Sequence, residues 1–467
     1  MGTRGRALGV FSAAALVLSG MMALGGSAQA ATLACGDTVT TSVTLSNDLN
    51  CNNKNGLIIG ASNITVNLGG HTITGSSTTN STSNEYVGIL IKGVRNVTVQ
   101  NGTVQNFDAG VAIVKGSKNT LTKLVVRDNI NHSSLTGAIN RCNYGDGITV
   151  TGSDQNLITG NRAYHNGPFS GIAIVGNSDN NIVSGNRVYD QTVRNQLPDD
   201  GDPRTPPVNG PCGPFQATPT GAGRLNQDIG IRVEGPGADN NQVLANQVTD
   251  NLLDGITIHG YVCGVAPFLP APGKPNTGNL IQGNNVRRNG FADVARGELQ
   301  DGIAILSQGP LGTVTCGSND NSIIGNTSIG NARHGIYVTR TGDNSIPSNN
   351  TVSQNTVNNN GSTILRDGAL VPVGDGIALQ GPNMVCPLGA PRDPDTRACL
   401  VPLEPRNGAN ENTLVSNKGM GNVEHDGHDA NPECDNNFWK QNIFGTVNQA
   451  CVAANGGTGT DIGPPIP

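Results

Sequence analysis

The sequence predicts an all-β solenoid, a single-stranded parallel β-helix of about eleven turns whose strands pair turn on turn at the ~4.8 Å spacing of a sheet. Three observations predict it. Residues 146–186 read DGITVTGSDQNLITGNRAYHNGPFSGIAIVGNSDNNIVSGN, and the pattern Gly-Ile-x-Ile/Val, polar turn, Asn-x-apolar-x-x-Asn returns 24 residues later, from Gly147 to Gly171; a repeat of that period marks a solenoid. A pair of Asn five residues apart recurs nine times, at Asn96/Asn101, Asn156/Asn161, Asn181/Asn186, Asn241/Asn246, Asn279/Asn284, Asn321/Asn326, Asn350/Asn355, Asn412/Asn417 and Asn437/Asn442. Apolar positions alternate with small or polar ones, as at Ile172, Ile174, Ile182 and Ser184. That is the period of a strand with one buried face, and no stretch beyond residue 30 keeps a helical period.

The Asn columns read as scaffold: side-chain amides stacked turn on turn, bonding one another and the bent backbone at corners, where Asn tolerates turn conformations. No function is taken from them. The repeats DGI-x-I…N-x-I-x-GN, the early NLGGHTITG (67–75) and the ending CDNNFWKQNIFGTVNQAC (434–451) resemble the secreted right-handed parallel β-helix repeat proteins of the pectate-lyase superfold. The resemblance spans roughly 35–451 and implies a right-handed coil. That superfold hosts lyases, hydrolases, epimerases and non-catalytic modules, so the resemblance speaks to fold more than to activity.

Residues 1–30 read as a signal peptide: Arg4 and Arg6, an apolar run over 7–24, then Ala28-Gln29-Ala30 as a small-x-small cleavage signal. Export to an extracellular or cell-surface location follows, and no second apolar run is long enough to span a membrane. Residues 31–55 are assigned to an N-terminal cap, 56–425 to the β-helix, 426–455 to a C-terminal cap holding Phe438 and the single Trp439, and 456–467 to a tail without structure. The ten Cys all lie beyond the leader, and an even number in an oxidising compartment suggests five local disulfides. The pairs expected are Cys35–Cys51, Cys142–Cys212, Cys263–Cys316, Cys386–Cys399 and Cys434–Cys451. None has zinc-finger spacing.

Gly at 65 of 467 residues is about twice the usual share, as a turn-rich coil requires. A net charge of −6 argues against a nucleic-acid partner. The unbroken repeat argues for one elongated, monomeric domain, a rod of roughly 50 Å.

Long Pro- and Gly-rich inserts mark where function should lie. Inserts 131–145, 191–227, 290–300 and 361–374 precede Gly-Ile strands, while 260–278, 308–318 and 381–409 follow them. Inserts on both sides of one strand rise as two banks of one sheet, making the outer face of the Gly-Ile strands the floor of a trough that fits an extended polysaccharide. Alternation sets Arg232 and Glu234, Thr257 and His259, Ala304 and Leu306, Tyr337 and Thr339 outward. One column earlier stand Asp146, Asp254, Asp301, His334, Asp375 and Asp426, with Asp254, Asp301, His334 and Asp375 about 5 Å apart from turn to turn. Each Asp also suits a plain role, capping backbone N–H groups before Gly.

Three chemistries fit that floor. A lyase or uronate epimerase acting on an acidic polysaccharide needs a proton-transfer group, for which His259, His334 and Tyr337 qualify, and a cation to neutralise the uronate carboxylate. Arg232 supplies the cation, or else Ca2+ held by Glu234 and Asp254. A glycoside hydrolase needs two carboxylates, for which Asp254 with Asp301 or Asp375 qualifies. Glu234, Thr257 and Asp375 are the residues expected to contact the substrate. A non-catalytic module would only hold the glycan along the trough; scarce aromatics argue against a stacking platform. The Asn-Thr-Asp, Gly-His-Gly and Arg-Ile-Lys elements of polygalacturonase-like members are absent. The segment Glu424-His425-Asp426-Gly427-His428-Asp429 resembles the Asp-Pro-His-Asp element of alginate epimerases, with Gly427 in place of Pro, but adjoins the C-terminal cap and is assigned to it.

Overall fold

The computed structural model describes residues 29–76, 86–129, 146–167, 170–191, 229–260, 275–291, 300–307, 317–340, 347–366, 368–385, 401–402, 404–406 and 408–463. Short strands wind into ribbons in which each strand pairs in parallel with its counterpart one turn away. The Gly-Ile ribbon runs through Val87–Lys92, Ala109–Val114, Ile148–Thr151, Ser170–Val175, Ile229–Glu234, Ile256–Gly260, Ile303–Ser307, Ile336–Arg340, Ile377–Leu379 and Gly427–Asp429. A second ribbon includes Leu157–Thr159, Ile182–Ser184 and Gln242–Leu244, and a third Arg162–Tyr164, Arg187–Tyr189 and Gln247–Thr249. This is the right-handed parallel β-helix expected from the repeat.

Registers such as Ile148↔Ile172, Ile172↔Ile231, Ile231↔Ile256 and Ile256↔Ile303 stack identical side chains in one fully buried column. Each such Ile contributes about 1.5–3 kcal/mol of apolar burial. The Gly before it is a matter of space: a Cβ on Gly255 would lie 2.6 Å from the Gly302 carbonyl oxygen and 2.8 Å from Asn289 Nδ2. The strand therefore passes the corner too closely for any side chain.

Asn forms three ladders rather than the two read from the sequence. The first runs Asn119, Asn156, Asn181, Asn241, Asn279, Asn321, Asn350, Asn412, Asn437. The second runs Asn161, Asn186, Asn246, Asn284, Asn326, Asn355, Asn417, Asn442. The third starts Asn129, Asn166, Gln191, Asn251, Asn289 and continues through Asn331, Asn360 and Asn422 to end on Asp426. In every full rung the side-chain oxygen accepts the preceding turn's backbone N–H and amide, as Asn284 Oδ1 does from Asn246 N and Nδ2 at 2.8 and 3.0 Å. Asn96 and Asn101 are not in these columns. Both are exposed with positive φ, and the ladder level of that turn is one residue on: the Val97 amide bonds Asn119 Oδ1 at 3.0 Å.

Cys35–Cys51 and Cys434–Cys451 form as expected at the two ends, and Trp439 is buried in the C-terminal cap. The partners expected for Cys142, Cys212, Cys263, Cys316, Cys386 and Cys399 lie outside the described residues, as do residues 1–28 of the segment read as a signal peptide. Pairing begins at Gln29–Ala31, against Val43–Leu45. The tail expected without structure from residue 456 instead adds Thr458–Asp461 to Ile443–Val447. A last turn otherwise leaves a row of unpaired N–H and C=O groups, and the added strand takes them up. Around Ile377–Leu379 an antiparallel hairpin, Ser362–Arg366 with Ala369–Val373, precedes the strand, and a second, Asn383–Val385 with Glu404–Arg406, follows it. The other inserts fall largely outside the described residues.

Candidate functional site

Register places the outward positions as alternation required. Arg232, Thr257, Ala304, Tyr337, Ala378 and His428 form one row, with Glu234, His259, Leu306 and Thr339 beside it. The floor is less open than expected, since Arg232, Thr257, His259 and Ala304 are all buried. Exposure returns toward the C-terminal end, where the side chains of Arg333, His334 and His428 keep 31%, 12% and 13% of theirs.

The buried stretch is a set of mutually engaged charges. Arg232 pairs with Glu234 on its own strand and reaches Asp146, two turns back, at 3.6 Å. It passes the row position of Ala173, which is small enough to leave room. Burial raises the Asp146 and Glu234 carboxyls, with Arg232 opposing. Burial, and then the Arg232 charge, push the His259 imidazole down to about 3. In the unfolded chain that ring would titrate near 6.5, so between those values the unfolded state binds the extra proton. His259 therefore contributes its full stability above about pH 6.5 and loses it as pH falls toward 3. An imidazole NMR titration should find His259 neutral at pH 5; a midpoint near 6.5 would contradict the assignment.

The corner column forms a chain of side-chain acceptors. Asp254 Oδ1 accepts the Asp301 N–H at 2.8 Å, Asp301 Oδ1 accepts the His334 N–H at 3.0 Å, and His334 Nδ1 accepts the Asp375 N–H at 3.0 Å. This is the capping role each Asp was also expected to serve. Further charge is layered on it. Thr257 donates to Asp254 Oδ2 at 3.2 Å, and burial followed by the Asp301 carboxylate pushes Asp254 up to about 7. Arg333 grips Asp301 through Nε at 2.8 Å and NH2 at 2.6 Å, a bidentate fork, and lies 5.0 Å from the Tyr337 ring centroid. The His334 and Tyr337 rings are 4.4 Å apart, and burial raises the Tyr337 phenol despite Arg333.

Asp375 is the centre of the last cluster. Its carboxylate meets His334 Nδ1 at 3.2 Å, His425 Nδ1 at 3.1 Å and His428 Nδ1 at 3.0 Å, and also accepts the His425 N–H at 3.0 Å. Burial alone would raise its pKa; the three imidazoles outweigh that and hold it well below the ordinary carboxylate range. For His425 burial acts downward, but the Asp375 carboxylate leaves the ring raised. The segment 424–429, assigned wholly to the cap, is divided. Asp426 accepts from Asn422, Gly445 and Thr446, and Asp429 accepts Trp439 Nε1 at 2.8 Å, which are cap roles. His425 and His428 instead turn to the corner column. Arg333, one residue before His334, was not singled out in the sequence; the signal was its position at the start of a Gly-Ile strand whose corner is His rather than Asp. Glu234 and Asp254, suggested for Ca2+, each have other partners, Arg232 for the first and the Asp301 N–H for the second. Asp375, His425 and His428 present three donor atoms within 4.8 Å of one another, a spacing that suits a metal ion.

Residues 70–200 match the family model described as periplasmic copper-binding protein (NosD). No curated protein sequence matches the chain. Among solved structures, the catalytic domain of a GH87 alpha-1,3-glucanase in complex with nigerose is 17% identical, with 90% of this chain and 63% of that one covered and a TM-score of 0.46. The Dettilon tailspike protein is 15% identical over 84% and 58% of the two chains, TM-score 0.46. The A-module of the Azotobacter vinelandii mannuronan C-5 epimerase AlgE4 is 12% identical over 86% and 85%, TM-score 0.45. This chain thus spans less than two thirds of the glucanase domain and of the tailspike. Likeness at this level carries no argument about activity here. Among the described residues no helix is long and apolar enough to cross a membrane.

Proposed function

We propose that this protein is an exported β-helix protein that holds an extended acidic polysaccharide along the Gly-Ile ribbon and acts on it by β-elimination or epimerisation. The observation that carries the reading is the juxtaposition of Arg333, His334 and Tyr337 where the ribbon regains exposure. Uronate chemistry needs the carboxylate neutralised and the neighbouring C–H proton removed. The Arg333 fork to Asp301 uses Nε and NH2, which leaves NH1 for a substrate carboxylate. Because His334 Nδ1 accepts the Asp375 N–H, the neutral ring carries its proton on Nε2 and donates there. Tyr337 is then the proton-transfer group. Burial holds Tyr337 in its phenol form, so it is the proton donor. A solvent base takes the C5 proton, and Tyr337 gives its proton either to O4 as the C4–O bond breaks, leaving an unsaturated uronate end, or to the opposite face of C5, giving the epimer. It then regains a proton from solvent.

A second reading is favoured by Asp254, whose carboxyl at about 7 beside Asp301 suits the acid of a glycoside hydrolase. One experiment separates these: incubation of the purified protein with pectate, alginate, glycosaminoglycans and neutral glycans, following ultraviolet absorbance of unsaturated uronate, reducing ends and C5 configuration by NMR. Tyr337→Phe should lower turnover by about 100-fold or more while leaving the fold intact. Undiminished turnover in that variant would remove the site. Reducing ends without unsaturation would favour the hydrolase, and silence with retention on an immobilised glycan would favour a binding module.

A further inference from the structure

Three imidazoles crowd one buried carboxylate at Asp375, and the hydrogen bonds of two of the rings fix where their protons sit. His425 Nε2 lies 2.9 Å from the Gly463 carbonyl oxygen, which can only accept, so Nε2 carries the hydrogen. With Nε2 so engaged, Nδ1 is the nitrogen that His425 turns to Asp375 Oδ1, at 3.1 Å. His428 turns its Nδ1 to Oδ2 at 3.0 Å, and His334 Nδ1, which accepts the Asp375 N–H, also lies 3.2 Å from Oδ2. Nitrogens of three rings thus converge on the two oxygens of one buried carboxylate, the geometry in which a shared cation is held.

We propose that Asp375, His425 and His428 form a binding site for a divalent late first-row transition ion of the zinc class. The three donor atoms lie within 4.8 Å of one another, and Asp375 Oδ2 and His428 Nδ1 are 3.0 Å apart. Ligand bonds of about 2.0–2.2 Å to a shared ion require small adjustments from there. Two imidazoles and one carboxylate select such an ion over Ca2+ or Mg2+, which take oxygen. The second shell is present: His425 gives its distal N–H to a backbone carbonyl, which orients a metal-bound imidazole. The site joins the corner before Ile377–Leu379, the strand Gly427–Asp429 and, through Gly463, the segment that follows Thr458–Asp461. It is thus a clasp on the C-terminal turns. It does not depend on the glycan reading, and the family-matched segment 70–200 contains none of its residues.

The test uses full-length mature protein without a histidine tag, stripped with chelator and titrated calorimetrically with Zn2+, then with Ca2+. One equivalent of Zn2+ with an upward shift in the thermal midpoint is expected, with neither effect from Ca2+. His428→Ala should weaken Zn2+ binding at least 10-fold, whereas Tyr337→Phe should not. Retained one-equivalent affinity in a folded His428→Ala variant would overturn the proposal. Should that variant not fold, X-ray absorption of the zinc-loaded wild type decides: two imidazole nitrogens with oxygen at about 2.0–2.2 Å support the site, and a shell of oxygen alone, or no bound zinc, refutes it.

Discussion

Asn246→Ala should destabilise the protein by about 3–5 kcal/mol, although it removes only a small polar side chain. Asn246 Oδ1 accepts the Asn186 N–H at 2.9 Å and Asn186 Nδ2 at 3.0 Å, while its own Nδ2 donates to Val183 O at 2.9 Å and Asn284 Oδ1 at 3.0 Å. Alanine deletes all four at a fully buried level. Each buried group left unsatisfied costs about 1–3 kcal/mol, and at least the Asn186 N–H and the Val183 carbonyl lose these partners. Urea unfolding should show a lower midpoint at an unchanged slope. Asn96→Ala is the control. That residue is exposed and outside the ladder; it loses only a surface bond to Asn63 Oδ1 at 2.9 Å and its tolerance of φ 54°, and the change should cost about 1 kcal/mol. Equal effects at the two positions would mean that turn preference, not the amide stack, accounts for the Asn columns.

The same pair of residues shows what the sequence made legible. Five-residue spacing revealed two ladders, because each rung needs one side chain that can both accept and donate at a fixed place in the turn. The third ladder was in equal view, five residues further on at Asn166, Asn251, Asn289, Asn331, Asn360 and Asn422, but Gln191 and the inserts that follow it break the visual register. Turn tolerance was the misleading part of the reasoning. The left-handed conformation belongs to the residue before the ladder position: Gln155, Asn180 and Asn240 before the first column, Ala245, Gln354 and Ser416 before the second, His165, Asp190 and Asp250 before the third. Asn96 and Asn101 are themselves such residues, which is why they passed as rungs.

At the candidate site, alternation and the corner rule placed His334, Tyr337, Asp301 and Asp375 correctly relative to one another, since both follow from strand period and turn spacing. Side-chain engagement did not follow from period. That Arg333 would fork onto Asp301, or that His425 and His428 would meet at Asp375 across the 50 residues between Asp375 and His425, depends on which turn lies next to which after an insert of arbitrary length. Burial of the floor at Thr257 and His259 was equally beyond a reading based on alternation, which distinguishes inward from outward but not outward-covered from outward-open.

Arg232→Met carries the second large effect, and its pH dependence distinguishes charge from packing. Methionine keeps much of the apolar stem but leaves Glu234 and Asp146 without the guanidinium that both face. Removing one partner of a buried ion pair costs about 3–5 kcal/mol, mainly the penalty on the charge left behind. Both carboxyls are already raised by burial, and loss of Arg232 must raise them further. A folded-state carboxyl pKa above its unfolded value means that the native state holds the extra proton between the two values. The penalty therefore grows as pH rises from the ordinary carboxylate range and shrinks as pH falls back toward it. Denaturant unfolding of the variant against wild type should show the larger loss at pH 8 and a clearly smaller one at pH 5. Adding Glu234→Gln to Arg232→Met should recover part of the loss at pH 8, because the amide cannot ionise. A loss independent of pH, or no recovery in the double variant, would mean that Arg232 acts by filling space, and that the charges along this ribbon do not form the coupled chain that the distances describe.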